Sequence, residues 1–208
     1  MRAVAVTRHD YLGKLDLLDS IFRLRARIFQ ERLSWNVRVS EGRERDEYDR
    51  FNPAYIVALA DDGTLAGCCR LLPANGPTMV ANTFPQLLSA GRLIAHPHMV
   101  ESSRFCVDTG LAGERAGRLP HEATLTMFAG IIEWSMTNGY TEIVTVTDVR
   151  FERILQRAGW PLARLGDAHP VGNTIAVAGL LAVSKEHFRG LKPAAYRSEF
   201  SVSRHLAA

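Results

Sequence analysis

The stretch Glu101-Ser102-Ser103-Arg104-Phe105-Cys106-Val107 constrains this 208-residue chain more than any other. Bounded by His96-Pro97-His98 and Asp108-Thr109-Gly110, it reads as a buried strand. Buried strands rarely carry an acid and an arginine, because an unpaired charge in an apolar layer costs several kcal/mol or changes its protonation state. Side chains alternate along a strand, so the odd separation of Glu101 and Arg104 sends them to opposite faces. A β-bulge, common beside active sites, would bring both to one side. Two readings stay open on this stretch alone: an ion pair closing a sheet edge, and a bulged strand that carries a site.

Composition narrows the context. A hydrophobic content of 47% supports a full core, and the length suits a single domain. A net charge of +3 is too weak to imply nucleic acid without a concentrated basic patch. No run reaches transmembrane length, and Met1 to Tyr11 lacks the apolar core and cleavage site of a signal peptide. Three cysteines, two of them adjacent at Cys68-Cys69, make neither a disulfide framework nor a zinc set. Cys68 and Cys106 read as small buried hydrophobes, and the expected location is the cytoplasm. The pair His96 and His98 flanks a proline with no third ligand at metal spacing, so no metal is expected.

Along the chain, Ala3–Val6 reads as a strand, and Leu15–Leu33 as a helix with Leu18, Ile21, Phe22, Arg25, Phe29 and Leu33 at spacings of three and four. Arg25 falls on that apolar stripe, either snorkelling or reaching into a cavity. A charge-dense run from Glu41 to Arg50 holds Asp46 and Asp49; a solvated loop is the default there, yet Trp35 just before it would then be exposed without reason. Tyr55–Ala60 and Leu65–Leu72 form a hairpin about Asp61-Asp62-Gly63, the second strand carrying a lone Arg70, and Phe84–Leu88 is a short helix. Gly110–Pro120 reads as a loop, Glu122–Asn138 as an amphipathic helix and Glu142–Val149 as a strand. Phe151–Ala158 is a helix stopped by Gly159, Thr174–Val183 a strand, and Ser184 caps a last helix. Mixed strands with interspersed helices favour a three-layer α/β fold around one sheet.

The misplaced charges and aromatics combine into one pattern: Arg25 and Phe29, Trp35, Asp46-x-x-Asp49, Gly67-Cys68-x-Arg70-Leu71-Leu72-Pro73, Phe84, and Glu101-x-Ser103-Arg104-Phe105. In this combination the chain resembles the LuxI-type acyl-homoserine lactone synthases of bacterial quorum sensing, from roughly residue 20 to 160. The resemblance implies a fold similar to the GNAT acyltransferases, a twisted mixed sheet splayed into a cleft for the acyl donor's arm. It also implies synthesis of an acyl-homoserine lactone from S-adenosylmethionine and an acyl thioester, with release of methylthioadenosine. S-adenosylmethionine is then a substrate and no cofactor is expected. One domain over 1–208 is expected, with about 15–110 forming the S-adenosylmethionine side and 111–208 the acyl-chain and carrier-protein side.

What that chemistry needs, these residue types supply. Asp46 and Asp49 suit the ammonium and sulfonium of the substrate, while Arg25, Arg70 or Arg104 suit its carboxylate. Phe29, Trp35 and Phe84 offer flat faces for adenine and for the cation. A neutral amine must attack the thioester, so Glu101, desolvated in its strand, is the candidate base. Ser103 and Arg104 stand beside it, and backbone N–H groups freed at the bulge would serve the oxyanion.

On the acyl side the resemblance points to Val100, Phe105 and Thr145, the last as a hydroxyl for a 3-oxo group or as a strand residue with no such role. Val100 and Ser102 depart from the family's usual Trp and Leu, which leaves both an acyl-carrier-protein and a CoA donor open. Arg150, Arg153 and Arg157 share one helix face, with Arg164 just beyond. They read as a solvated row or, by the resemblance, as the docking face for an acidic acyl carrier protein. The rival functions are a GNAT N-acetyltransferase using acetyl-CoA and a non-catalytic ligand-binding domain.

Overall fold

β1 (Arg2–Val6) is followed by α1 (Leu15–Arg25), whose buried stripe is Leu18, Ile21, Phe22, Leu24 and Arg25 in the computed structural model, which describes residues 1–108 and 122–200. The expected α-helix to Leu33 stops early. Ala26–Arg32 is wound as a π-helix, with Leu33 N–H reaching Ile28 O at 3.0 Å. Apolar spacing could not separate the two, since one widened turn preserves separations of three and four on either side.

β2 (Val39–Ser40) and β3 (Arg43–Glu44) make a small hairpin where a solvated loop was expected, and Asp46 caps the 3₁₀ turn Glu47–Arg50. β4 (Ala54–Leu59) and β5 (Leu65–Pro73) form the expected hairpin, with Gly63 at φ 87° in its turn. α2 (Met79–Asn82) is a single turn capped by Thr78, and the short helix expected over Phe84–Leu88 is a 3₁₀ turn at Pro85–Leu87. β6 (Met99–Val107) is the strand on which the sequence turns. The loop expected over Gly110–Pro120 lies outside the described residues.

Then come α3 (Glu122–Thr137), β7 (Glu142–Asp148) and α4 (Val149–Ala158), the last capped by Asp148 and ended by Gly159 at φ 88°. β8 (Ala163–Arg164), β9 (His169–Val171), β10 (Thr174–Ala182), α5 (Lys185–Leu191, capped by Ser184) and β11 (Arg197–Glu199) complete the chain.

Among the described residues the main sheet runs β11-β1-β4-β5-β6-β7-β10-β8, with β9 also pairing β10. β1 to β6 pair antiparallel in that path, and β6 and β7 are parallel. Its two faces are read from alternation. On β4, Ala54, Ile56 and Ala58 pack with Phe128 and Ile131 of α3, while Tyr55, Val57 and Leu59 pack with Ile21 and Phe22 of α1. The result is the three-layer α/β arrangement, with α1 and α2 on one side and α3, α4 and α5 on the other.

The parallel pair is short. β6 and β7 are in register from Met99 with Glu142 to Ser102 with Thr145, and no further. Beyond that point Ser103–Val107 stays with β5 and Val146–Asp148 stays with β10, so the sheet splits. Thr145 Oγ1 donates to Ser102 O at 2.7 Å where the split begins.

Candidate active site

The bulge expected in β6 is present. Cys68 pairs with Cys106 but Arg70 with Ser103, so three steps on β6 oppose two on β5. Arg104 takes up the extra residue at φ 54°, a conformation that costs a branched or long side chain energy and that clusters at functional sites. Before the bulge Val100 and Ser102 face α3, and Glu101 and Ser103 face α1 and α2. After it Phe105 and Val107 join the core under α3, and Arg104 stays on the side of Glu101 and Ser103. One inserted residue thus converts an alternating strand into one that presents three polar side chains together.

Arg104 enters a closed cluster of three guanidiniums and three carboxylates. Arg25, at the last turn of α1, has its Nε on Glu44 Oε2, and its two terminal nitrogens clamp Asp49 at 2.8 and 3.0 Å. Arg70 forks onto Asp46, with Nη2 at 3.0 Å from Oδ2, and also reaches Asp49 Oδ1 at 2.8 Å. Arg104 holds Glu44 Oε1 through Nε at 3.0 Å and Asp46 Oδ2 through Nη2 at 2.9 Å. Tyr55 Oη adds a 2.8 Å bond to Asp49 Oδ1. Arg25, Arg70 and Glu44 are fully buried, which is tolerable because the six charges cancel and each fork is matched bidentately or shared.

Burial alone would raise the Asp49 pKa, but the Arg25 and Arg70 charges and the Asp46 N–H outweigh it and hold the carboxyl well below the usual range. Asp46 and Asp49 also cap their own turn, Asp46 accepting from Tyr48 N and Asp49 from Asp46 N. Both acids therefore face arginines.

Glu101 stands apart from these pairs. Its Oε1 accepts from Val80 N, in the single turn of α2, at 2.7 Å. Its Oε2 is buried and completes no hydrogen bond among the described residues, and the Ser103 hydroxyl, which accepts from Arg70 Nε at 3.1 Å, keeps its own proton to offer. Burial pushes the Glu101 pKa up, against the Val80 and Met79 N–H groups, the Arg70 charge and the Ser103 hydroxyl. A carboxylate with one oxygen held and the other unsatisfied is the arrangement a proton acceptor requires.

Aromatic rings border the cluster. Phe29, delivered by the π-turn, stacks on Trp35 with centroids 5.2 Å apart and planes 4° from parallel, and the Arg104 guanidinium lies 5.6 Å over Phe29. Tyr48 lies under Arg70 at 5.5 Å. The Met79 sulfur sits between Arg70 and Arg104, 3.2 and 3.4 Å from their nearest nitrogens, and Phe84 packs beside Met79 and Tyr48.

The remaining expected residues are more scattered. Val100 is buried in the closed part of the β6–β7 pair, opposite Ile143, and Phe105 follows the bulge onto the α3 face. The Thr145 hydroxyl is engaged by Ser102 O. Arg153 and Arg157 are exposed on α4. Arg150 is exposed too and borders a cavity of about 530 Å³ shared by Trp35, Asp148 and the β9–β10 hairpin. Arg164 is held bidentately by Glu152 of α4 at 2.6 and 2.7 Å, so its charge is already paired. His96 pairs with Glu142 and His98 with Gly139 O.

Four residues of the site escaped sequence reasoning: Glu44, Tyr48, Tyr55 and Met79. Glu44 had a signal only in hindsight, as the acid that β3 turns inward from a run of exposed charges.

A family profile described as "Autoinducer synthase" matches residues 9–191. A probable acyl-homoserine-lactone synthase of Sinorhizobium fredii is 57% identical over 96% of this chain and 96% of its own length. An acyl-homoserine-lactone synthase of Agrobacterium fabrum is 55% identical over 95% of this chain and 94% of its own. Among solved structures, TofI in a ternary complex with an inhibitor and MTA superposes with a TM-score of 0.77 at 25% identity, covering 92% of this chain and 96% of TofI. The chain belongs to the autoinducer synthase family, the acyl-homoserine-lactone synthases built on a GNAT-like fold.

Proposed function

We propose that the chain acylates S-adenosylmethionine from an acyl thioester and then closes the lactone, and that the split sheet divides the work. The segment 15–110 handles S-adenosylmethionine, and the α3 side within 111–208 handles the acyl chain and its carrier. The observation that carries this reading is the unsatisfied, buried Glu101 Oε2 beside a cluster of three arginines at the mouth of the β6–β7 split. The relatives' names and the MTA of the TofI complex agree with it.

In the first step the α-ammonium loses a proton to Glu101, directly or through a water, and the neutral amine attacks the thioester carbonyl. The amide bond forms and the carbon–sulfur bond of the thioester breaks; of the two protons the nitrogen gives up, one ends on the departing thiolate and the other passes through Glu101 to water. We assign the developing oxyanion to backbone N–H groups at the bulge, and the Ser103 hydroxyl keeps Arg70 oriented. In the second step a carboxylate oxygen of the acylated substrate attacks the carbon next to the sulfonium. That carbon–sulfur bond breaks, the sulfur keeps the electron pair, and neutral methylthioadenosine leaves. Arg104, the least buried of the three guanidiniums, receives the substrate carboxylate, with Arg25 and Arg70 behind it. Asp46 and Asp49 hold the arginines in place and balance the sulfonium electrostatically, while Phe29, Trp35 and Phe84 take the adenine and the cation. The protein's part in ring closure is alignment.

The donor is an acyl carrier protein docked on Arg153 and Arg157, with Arg150 at the edge of that face, or an acyl-CoA that needs no such face. Release of methylthioadenosine on mixing the purified chain with S-adenosylmethionine and each donor tests the reading. A GNAT N-acetyltransferase would release thiol without methylthioadenosine, and a binding domain would release neither.

A further inference from the structure

The one donor that holds Glu101, Val80 N–H at 2.7 Å from Oε1, lies outside β6 in the four-residue turn α2. A helix of one turn has no stability of its own, so its neighbours decide where that N–H points. Thr78, fully buried, caps the turn by accepting from Ala81 N at 3.2 Å, which leaves Val80 N–H free for the carboxylate. The side chains of Val80 and Met79 pack into separate clusters of the core. Apolar contacts of that kind fix where α2 lies but are non-directional, and the bearing of one N–H is left to polar tethers.

Thr83 supplies such a tether. Its N–H donates to Met79 O at 2.9 Å. Met79 O and Val80 N–H belong to one planar peptide unit, so Thr83 grips the far side of the plane that Glu101 grips on the near side. The Thr83 hydroxyl in turn lies 2.7 Å from Tyr48 Oη. Tyr48 is buried with its ring under Arg70, in the turn whose Asp46 and Asp49 hold Arg25, Arg70 and Arg104. A continuous path therefore runs from the ionic cluster through Tyr48, Thr83 and α2 to Glu101.

We propose that Tyr48 and Thr83 are positioning residues: their paired hydroxyls lock α2 to the acid turn and so keep Glu101 Oε2 in register with the arginines. This rests on the reading of Glu101 as the proton acceptor. The charged and titratable groups around Glu101 are Arg70 of β5, Arg104 of its own strand and Tyr48 itself. Arginine and tyrosine keep their protons throughout the acid range. Burial raises the Glu101 pKa and the Val80 N–H opposes it, so a misdirected N–H leaves burial less opposed and the pKa higher.

The test compares Tyr48→Phe, Thr83→Val, the double variant and Thr83→Ser by methylthioadenosine release across pH. Tyr48→Phe keeps the ring, and Thr83 is exposed, so neither change opens a cavity. In each single variant kcat should fall about tenfold, with the KM for S-adenosylmethionine unchanged. The acid limb of kcat should move up by about one pH unit. The double variant should fall no further than either single one, because both remove the same bond, and Thr83→Ser should behave as wild type. If Tyr48→Phe fails to melt cooperatively, Thr83→Val against Thr83→Ser carries the test. Folded single variants with the wild-type limb would overturn the positioning role, whether or not their melting temperature falls; so would losses that add in the double variant. Glu101→Gln with wild-type turnover would overturn the proton-acceptor reading, and the positioning role with it.

Discussion

Arg25 and Arg104 hold the two oxygens of one carboxylate, Glu44, the first through Oε2 and the second through Oε1 at 3.0 Å. Their donors come from the end of α1 and from the bulge of β6, so a hairpin acid joins two distant elements in the interior. Removing one partner of a buried ion pair leaves the other charge uncompensated. Glu44→Gln should therefore lower stability by about 3–5 kcal/mol. Urea denaturation checks this, and a midpoint within error of wild type would mean that the pairing adds nothing.

Glu101→Gln keeps the side chain's shape and its bond from Val80 N, and removes the proton acceptor. Turnover should fall by about two to four orders of magnitude, the usual worth of a general base. Because burial raises the Glu101 pKa, the acid limb of kcat against pH should lie above the ordinary glutamate value of 4.5 in the wild type. That limb should vanish in the variant. An unaltered limb in Glu101→Gln would assign the ionisation to another group.

Asp49 carries the pH dependence of stability in this region. Its pKa is depressed in the folded state from an ordinary value of 3.8, so its contribution is fully present above that value and is lost as pH falls through the lower folded-state pKa. Wild type should lose stability steeply on acidification below about pH 4, where free carboxylates protonate. Asp49→Asn should start less stable at neutral pH and lose less on acidification. Parallel stability curves for the two proteins would contradict the assignment.

Arg153 and Arg157 are exposed, and their effect on a docked protein is long-range and screened over about 8 Å at physiological salt. Replacing both with Glu should raise the KM for an acyl-carrier-protein donor and remove most of its salt dependence. The KM for S-adenosylmethionine and the rate with acyl-CoA should hold. Equal loss with both donors would make the face structural, and no loss with either would make it an ordinary solvated row.

What could be read in advance followed local rules. The hairpin of β4 and β5, the cap at Ser184 and the stop at Gly159 depend on neighbours in sequence, and each is where turn and capping chemistry puts it. The bulge was legible as one of two readings, because two charges at odd spacing in a buried strand can share a face only through one. Glu44 was not. Its partners lie 19 and 60 residues away, and among exposed charges of the same run nothing local marks which acid turns inward. The π-turn hid for a different reason, since its apolar spacing imitates an α-helix. Arg164 was grouped with the α4 arginines by proximity in sequence, whereas β8 swings it onto Glu152.

The six-membered ionic lattice of Arg25, Arg70, Arg104, Glu44, Asp46 and Asp49 is saturated before any ligand arrives. A zwitterionic substrate cannot simply be added to it. On the proposed assignment its carboxylate displaces one internal partner from Arg104, so binding is an exchange of nearly equivalent contacts and its free energy is a small difference. Lactone closure consumes that carboxylate, and the lattice can then snap shut on its own members. That saturation thus supplies a thermodynamic push for uncharged products to depart.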